Sequence, residues 1–355
     1  MNTSFEERVA LLRAFMEKNA VGTLVLRKNP NLAWFTGGRV HVPMTLDTAC
    51  FDIVVTNSQI LAITNVIEAP RLIAEEFPTE ISVEAVDWWT SRDALLPSGD
   101  DVGTDTPSPG RRDMSSGIEL LRSALVSGDQ DRLREVSRDS AKALGMAMRE
   151  VTTTDREIDV ASRIASALWE RDLELVFIGV AGESRMRLFR HPLPTPAVIG
   201  SRAVASICAR RKGLIASVTR IVSFGENPMS AENEYERLLH VEAAMLDATQ
   251  VGDAFSRPIE AAVAAYPAQG FDAEEWRHHH QGGPTGFLPR DWTANRQSSR
   301  TILAGTPIAW NPTAAGWKAE DTWLAQASGP ELLSLDHDYP HRQVAGRIRP
   351  DFLRR

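Results

Sequence analysis

Two segments of this chain concentrate residue types that could do chemistry. EWRHHHQGGPTGFLPRDW spans 275–292 and GTPIAWNPTAAGWKAEDTW spans 305–323. Imidazole titrates near neutral pH, so His278, His279 and His280 are candidates to move protons. If that run is extended its side chains alternate in direction, so at most two line one pocket, and His279 is the favoured one. Gly282, Gly283 and Gly286 let the backbone turn tightly and approach a ligand closely. Trp276, Trp292, Trp310, Trp317 and Trp323 supply five of the nine tryptophans. Such rings make flat apolar walls or a seat for a cation, one or two of them in a pocket and the rest in a core. The two segments read as opposite walls of one site.

Composition bounds what that site can serve. With 355 residues, 43% hydrophobic and 24% charged, the chain has room for two ordinary soluble domains. A formal charge of −8 argues against a surface that tracks phosphates, so nucleic acid is not an expected partner. No apolar run approaches the roughly twenty residues of a membrane span. Glu6 and Glu7 stand where a signal peptide would carry basic residues, so the expected setting is the cytoplasm, off the membrane. Cys50 and Cys208 are the two cysteines, far apart, which points to no disulfide framework and no cysteine metal site.

The elements that must position these residues alternate between α and β. Ser4 followed by Glu7 fits a capping box, with a first helix running to about Lys18. Strands are expected over 21–26, 51–56 and 59–64, a turn at Lys28-Asn29-Pro30-Asn31, a helix over 69–76 and a strand over 81–86. The Pro-, Gly-, Ser- and Asp-rich stretch 98–110 reads as a loop or boundary region, and 117–126 as a bridging helix. Two longer helices follow, 131–149 and 155–171, the second capped by Thr154 with Glu157 three residues on. A strand-dominated stretch over 175–224, helices over 231–248 and 258–266, and a strand-rich end complete a weak twofold repeat. The fold class is α/β (α+β), with domains 1–128 and 129–355.

This order of elements, with NPNLAWFTGG in an N-terminal α/β domain and duplicated helix-and-strand units after it, resembles the creatinase, prolidase and aminopeptidase P family. The resemblance implies a creatinase-like N-terminal domain followed by a pita-bread domain, and a homodimer. Metalloenzymes of that family hold two divalent ions with two aspartates, one histidine and two glutamates, since hard cations need anionic oxygens and an imidazole at fixed geometry. At the matching positions this chain has Ser206, Ser217 ahead of the Thr219-Arg220 pair, Gly283, Asn311 ahead of Pro312, and Glu320. Only the last is a ligand type. Hydroxyls and an amide are poor substitutes for carboxylates and glycine has no side chain, so no metal and no other cofactor is expected.

What the resemblance keeps is a set of proton-moving and binding groups. His191, in HPLPT, matches the histidine that faces the substrate and moves protons in creatinase, and His279 lies four residues before the lost ligand, where peptidase relatives keep a further active-site histidine. Arg220 and Arg290 could fork onto a substrate carboxylate. Glu320 either orients substrate and His191 or forms an ion pair with Arg220. Ser206, Ser217, Asn311 and Trp310 are read as substrate contacts. Neither serine lies in a G-x-S-x-G elbow, which disfavours a serine nucleophile. The expected activity is hydrolysis of a C–N bond in a small polar molecule, with His191 as acid and base. A binding protein without turnover, or a lyase or isomerase using the same pocket, is the alternative.

Overall fold

The computed structural model describes residues 3–42, 46–225, 229–314 and 316–355. The chain divides into two compact units, Met1–Asp129 with Lys212–Leu214, and Gln130–Arg211 with Ile215–Arg355.

In the first unit, helix α1 (Thr3–Lys18) buries Phe5, Leu12 and Met16 at helical spacing. It is followed by β1 (Thr23–Lys28), α2 (Asn29–Thr36), β2 (Thr48–Thr56), β3 (Ile60–Asn65), the short α3 (Ala69–Arg71), β4 (Ser82–Val86), β5 (Val102–Thr104), β6 (Arg112–Asp113) and α4 (Ser115–Ser123). The strands form one sheet in the order β4-β3-β2-β1-β5-β6. Three expectations change here. Ser4 lies within the first turn of α1, which begins at Thr3, and does not cap it. The stretch 28–31 is not a free turn but the start of α2: Pro30 sits in the first helical turn, where a missing N–H leaves no bond unmade, and Gly37 at φ 74° closes the helix. The polar stretch 98–110 is not only loop, because Val102, Gly103 and Thr104 pair in parallel with Thr23, Leu24 and Val25 inside the sheet.

The second unit takes in α5 (Ser127–Arg149) from Gln130 on, α6 (Glu157–Trp169), β7 (Glu174–Gly182), α7 (Glu183–Met186), β8 (Arg202–Arg211), β9 (Leu214–Ser223) from Ile215 on, α8 (Met229–Asp247) and α9 (Ser256–Ala268). Short strands finish it: β10 (Gly282–Pro284), β11 (Pro307–Trp310), β12 (Thr313–Ala314), β13 (Trp317–Lys318), β14 (Trp323–Leu324), β15 (Glu331–Leu332), β16 (His341–Val344), β17 (Arg347–Pro350) and β18 (Leu353–Arg354). Two four-stranded sheets result, β18-β9-β8-β7 and β10-β11-β14-β15. Thr154 does not cap α6; the cap is Arg156, whose backbone N–H donates to Asp159 at 3.0 Å. Strands dominate 175–224 as expected, with α7 and the loop after it between β7 and β8. Trp310, Trp317, Trp323, Tyr235, Tyr266 and Phe352 lie in one buried cluster with residues of α8 and α9, which anchors the strands that carry the site.

Candidate active site

β7, β8, β13 and the extended segment after β13 contribute to the wall of a cavity of about 340 Å³, whose lining includes Phe177, His191, His280, Arg290, Lys318 and Glu320. Residue alternation decides who reaches it. Glu320 and Asp321 are consecutive, and only Glu320 faces the cavity.

Glu320 is buried and fully engaged. Arg290 Nη2 donates to Oε1 at 2.8 Å, Lys318 Nζ approaches Oε2 at 2.8 Å, and Thr219 Oγ1 donates to Oε2 at 3.0 Å. With the Thr219 proton committed there, the Ser206 hydroxyl donates to Thr219 across 2.7 Å. Arg290 also reaches Ser217 Oγ at 3.3 Å, and Ser217 lies 3.5 Å from Cys208 Sγ. Burial pushes the Glu320 carboxyl up, but Lys318 and then Arg290 outweigh it and hold the group at about 2. Burial, with Glu320 nearby, raises the Cys208 thiol, so it is not an activated nucleophile. Two cations against one carboxylate leave the cluster with a net positive charge.

The histidines form a second line. His279 is buried and its Nδ1 lies 3.2 Å from the backbone carbonyl oxygen of Asn311. A carbonyl oxygen only accepts, so Nδ1 carries the proton and Nε2 presents its lone pair. His191 Nε2, 2.9 Å from His279 Nε2, must then be the donor, which leaves Nδ1 as the basic nitrogen of His191. Burial first, and then Lys318, holds His279 down at about 2; it is an acceptor that orients His191 and not a base of its own. Burial, then Lys318, also lowers His191, against the pull of Glu320. His280 is held at about 4 by burial and then Arg290, and its Nδ1 is buried with no partner among the described residues. His278 is exposed at the end of a short 3₁₀ turn.

Comparison with solved structures places the whole architecture. The prolidase of Pyrococcus horikoshii OT3 superposes with a TM-score of 0.78 at 18% identity, over 93% of this chain and 99% of that one. The X-Pro aminopeptidase of Thermotoga maritima gives 0.77 at 15% identity, over 97% and 99%. The chain has the prolidase fold. The N-terminal domain of the FACT complex subunit SPT16 from Cicer arietinum shares it, with a TM-score of 0.71 at 12% identity over 94% and 96%. No family model matches the sequence, and no curated protein matches it.

The dinuclear metal set that the resemblance associates with the prolidase fold does not fit these residues. Ser206 and Ser217 offer neutral hydroxyls already bonded to Thr219 and Arg290. At Gly283, with φ 155°, a Cβ would stand 2.6 Å from the Trp292 carbonyl oxygen, so the backbone has closed over the place a ligand side chain would need. Both oxygens of Glu320 are spent on Lys318, Arg290 and Thr219.

Of the residues singled out in the sequence, the structure brings His191, Asn311, Arg290 and Glu320 to the cavity wall, with His279 behind His191. Ser206 and Ser217 sit behind Glu320 and Arg290. Two do not belong. Arg220 is buried in an ion pair with Asp321 at 3.0 Å and donates to the Ser334 carbonyl at 2.8 Å, so it neither pairs with Glu320 nor faces the cavity. Trp310 is fully buried with Nε1 bonded to Thr249 at 3.0 Å. Among the described residues no tryptophan lines this cavity. Lys318 is the cavity-lining cation the sequence reading missed. Its position two residues before Glu320 in WKAED was the available signal, since alternate residues of an extended segment share a face.

Proposed function

We propose that this chain is a hydrolase that cleaves a C–N bond of a small polar, anionic molecule, with His191 as acid and base and with fixed side-chain cations doing the electrostatic work. The observation that carries this reading is the hydrogen-bonded line Asn311–His279–His191 at the edge of a cavity in which Lys318 and Arg290 outnumber Glu320. The fold neighbours named prolidase and X-Pro aminopeptidase support hydrolysis as the reaction class.

In this reading the net positive charge of the Lys318, Arg290 and Glu320 cluster seats the substrate's carboxylate and stabilises negative charge developing on oxygen. Asn311 Oδ1, buried without a partner among the described residues, accepts from a substrate N–H. Water adds to the carbon as His191 Nδ1 takes its proton. The new C–O bond forms, the proton passes from His191 to the departing nitrogen, and the C–N bond breaks. His279 keeps the imidazolium bonded throughout through its bare Nε2. A homodimer acting in the cytoplasm goes with this reading, and sedimentation tests the dimer.

The test is turnover of N-acyl and N-amidino derivatives of small carboxylic acids by chelator-treated protein. Activity should survive chelation and fall by about a hundredfold or more in His191→Ala. The likeness to an SPT16 domain favours one rival, a protein that binds without turnover. A carboxylate ligand that binds as tightly to His191→Ala as to the wild type, with no product formed, would decide for that rival.

A further inference from the structure

Three imidazoles converge beside the cavity from two separate loops. One ring nitrogen from each of His191, His279 and His280 lies within 4.8 Å of the other two. None of the three occupies a position matched to the dinuclear ligands of the fold's metalloenzymes, which fall at Ser206, Ser217, Gly283, Asn311 and Glu320. The carbonyl of Asn311 holds His279 by Nδ1–H, the arrangement that fixes the ring and tautomer of a metal-ligating histidine. The Nδ1 of His280 is a buried polar atom with no partner among the described residues.

We propose that His191, His279 and His280 form a site for one transition-metal ion of the zinc class, and that filling it shuts the hydrolase down. Three imidazoles with no carboxylate select Zn²⁺, Co²⁺, Ni²⁺ or Cu²⁺ over Mg²⁺ or Ca²⁺. Metal–nitrogen bonds of about 2.0–2.1 Å in a tetrahedron put the nitrogens about 3.4 Å apart. The His191–His279 pair, now at 2.9 Å, opens slightly and the widest pair closes from within 4.8 Å. His191 is the exposed member and has the freedom to rotate. To coordinate through Nε2, His191 moves its proton to Nδ1, which removes the basic nitrogen that hydrolysis uses. Inhibition therefore rests on the hydrolase reading, whereas metal binding does not.

The experiment uses full-length protein without a histidine tag, stripped by chelator and titrated with Co²⁺. Visible d–d bands of tetrahedral, nitrogen-bound cobalt should saturate at one equivalent and bleach with one equivalent of Zn²⁺. His280→Gln and His279→Gln should each weaken binding by about tenfold or more. His280 is only partly buried, so its variant tests the site even if His279→Gln does not fold. His278→Gln should bind like the wild type, because that side chain is exposed and outside the cluster. Bands that never saturate, that survive in His280→Gln, or that vanish in His278→Gln overturn the site. Zinc should abolish turnover and chelator restore it; bound zinc with undiminished turnover overturns the inhibition. The cobalt spectrum is read without substrate, so a chain with no turnover at all would still display the site.

Discussion

Glu320 and Asp321 are adjacent, both buried, and each held by two cationic side chains, yet they do different jobs. Asp321 sits between Arg220 at 3.0 Å and Arg349 at 2.9 Å, accepts from Ser334 Oγ at 2.6 Å, and has Glu242 completing Arg349 with two bonds of 2.6 Å. Arg220 is further covered by the Tyr339 ring, 5.6 Å from its guanidinium. Every cation there is closed off. Glu320 has partners at similar distances, but Lys318 and Arg290 also line an open cavity and carry more charge than Glu320 cancels. The difference is one of access: the cations around Glu320 keep a face toward empty space, which is why the proposed function is placed there, and those around Asp321 do not.

Substitutions at the two carboxylates should separate the roles. Asp321→Ala leaves Arg220 and Arg349 buried and short of a partner, and should cost about 3–5 kcal/mol in denaturant unfolding. A loss under about 1 kcal/mol would remove the distinction between the two sites. Glu320→Gln should cost well under half as much stability, because its partners reach the cavity, while lowering kcat/KM by about a hundredfold. Equal stability losses at both positions would break the comparison.

Acid should sharpen it further. His279 titrates at about 2 in the fold against an ordinary 6.5, so below pH 6.5 the unfolded chain binds a proton that the folded chain does not. Its contribution is fully present above pH 6.5 and drains by up to about 1.4 kcal/mol per unit as pH falls. Glu320, at about 2 against 4.5, adds a loss of the same sign below pH 4.5. Stability measured from about pH 8 to about pH 4 should therefore fall toward acid, with a shallower slope in His279→Gln. An unchanged slope in that variant would place the titration elsewhere. The smallest effect belongs to Trp310→Phe. It removes the bond to Thr249 and should cost about 1 kcal/mol of stability, with turnover changed less than about twofold.

The sequence made the architecture legible and the site only half so. Helical spacing located α1, α5, α6, α8 and α9, because apolar periodicity reports burial directly. It misread 28–31, where Pro30 suggested a turn but suits a helix start equally well, and 98–110, where Val102–Thr104 is a strand too short to show a period. At the site, the family resemblance named Glu320, Arg290 and the histidines, but could not say which way neighbouring residues point. Arg220 and Thr219 are consecutive, as are Asp321 and Glu320, and each pair splits, Thr219 bonding Glu320 and Arg220 bonding Asp321. Trp310 was assigned to the wrong side for the same reason. Tertiary packing fixed what local pattern left open.

The central proposal is that fixed cations and a histidine pair carry out hydrolysis in this cavity without paired metal ions. Its most direct test is turnover by thoroughly chelated protein, set beside His191→Ala folded to the same degree. The account predicts undiminished or higher rates in the first and a loss of about a hundredfold or more in the second. Activity that disappears on chelation and returns with added divalent ions would contradict it.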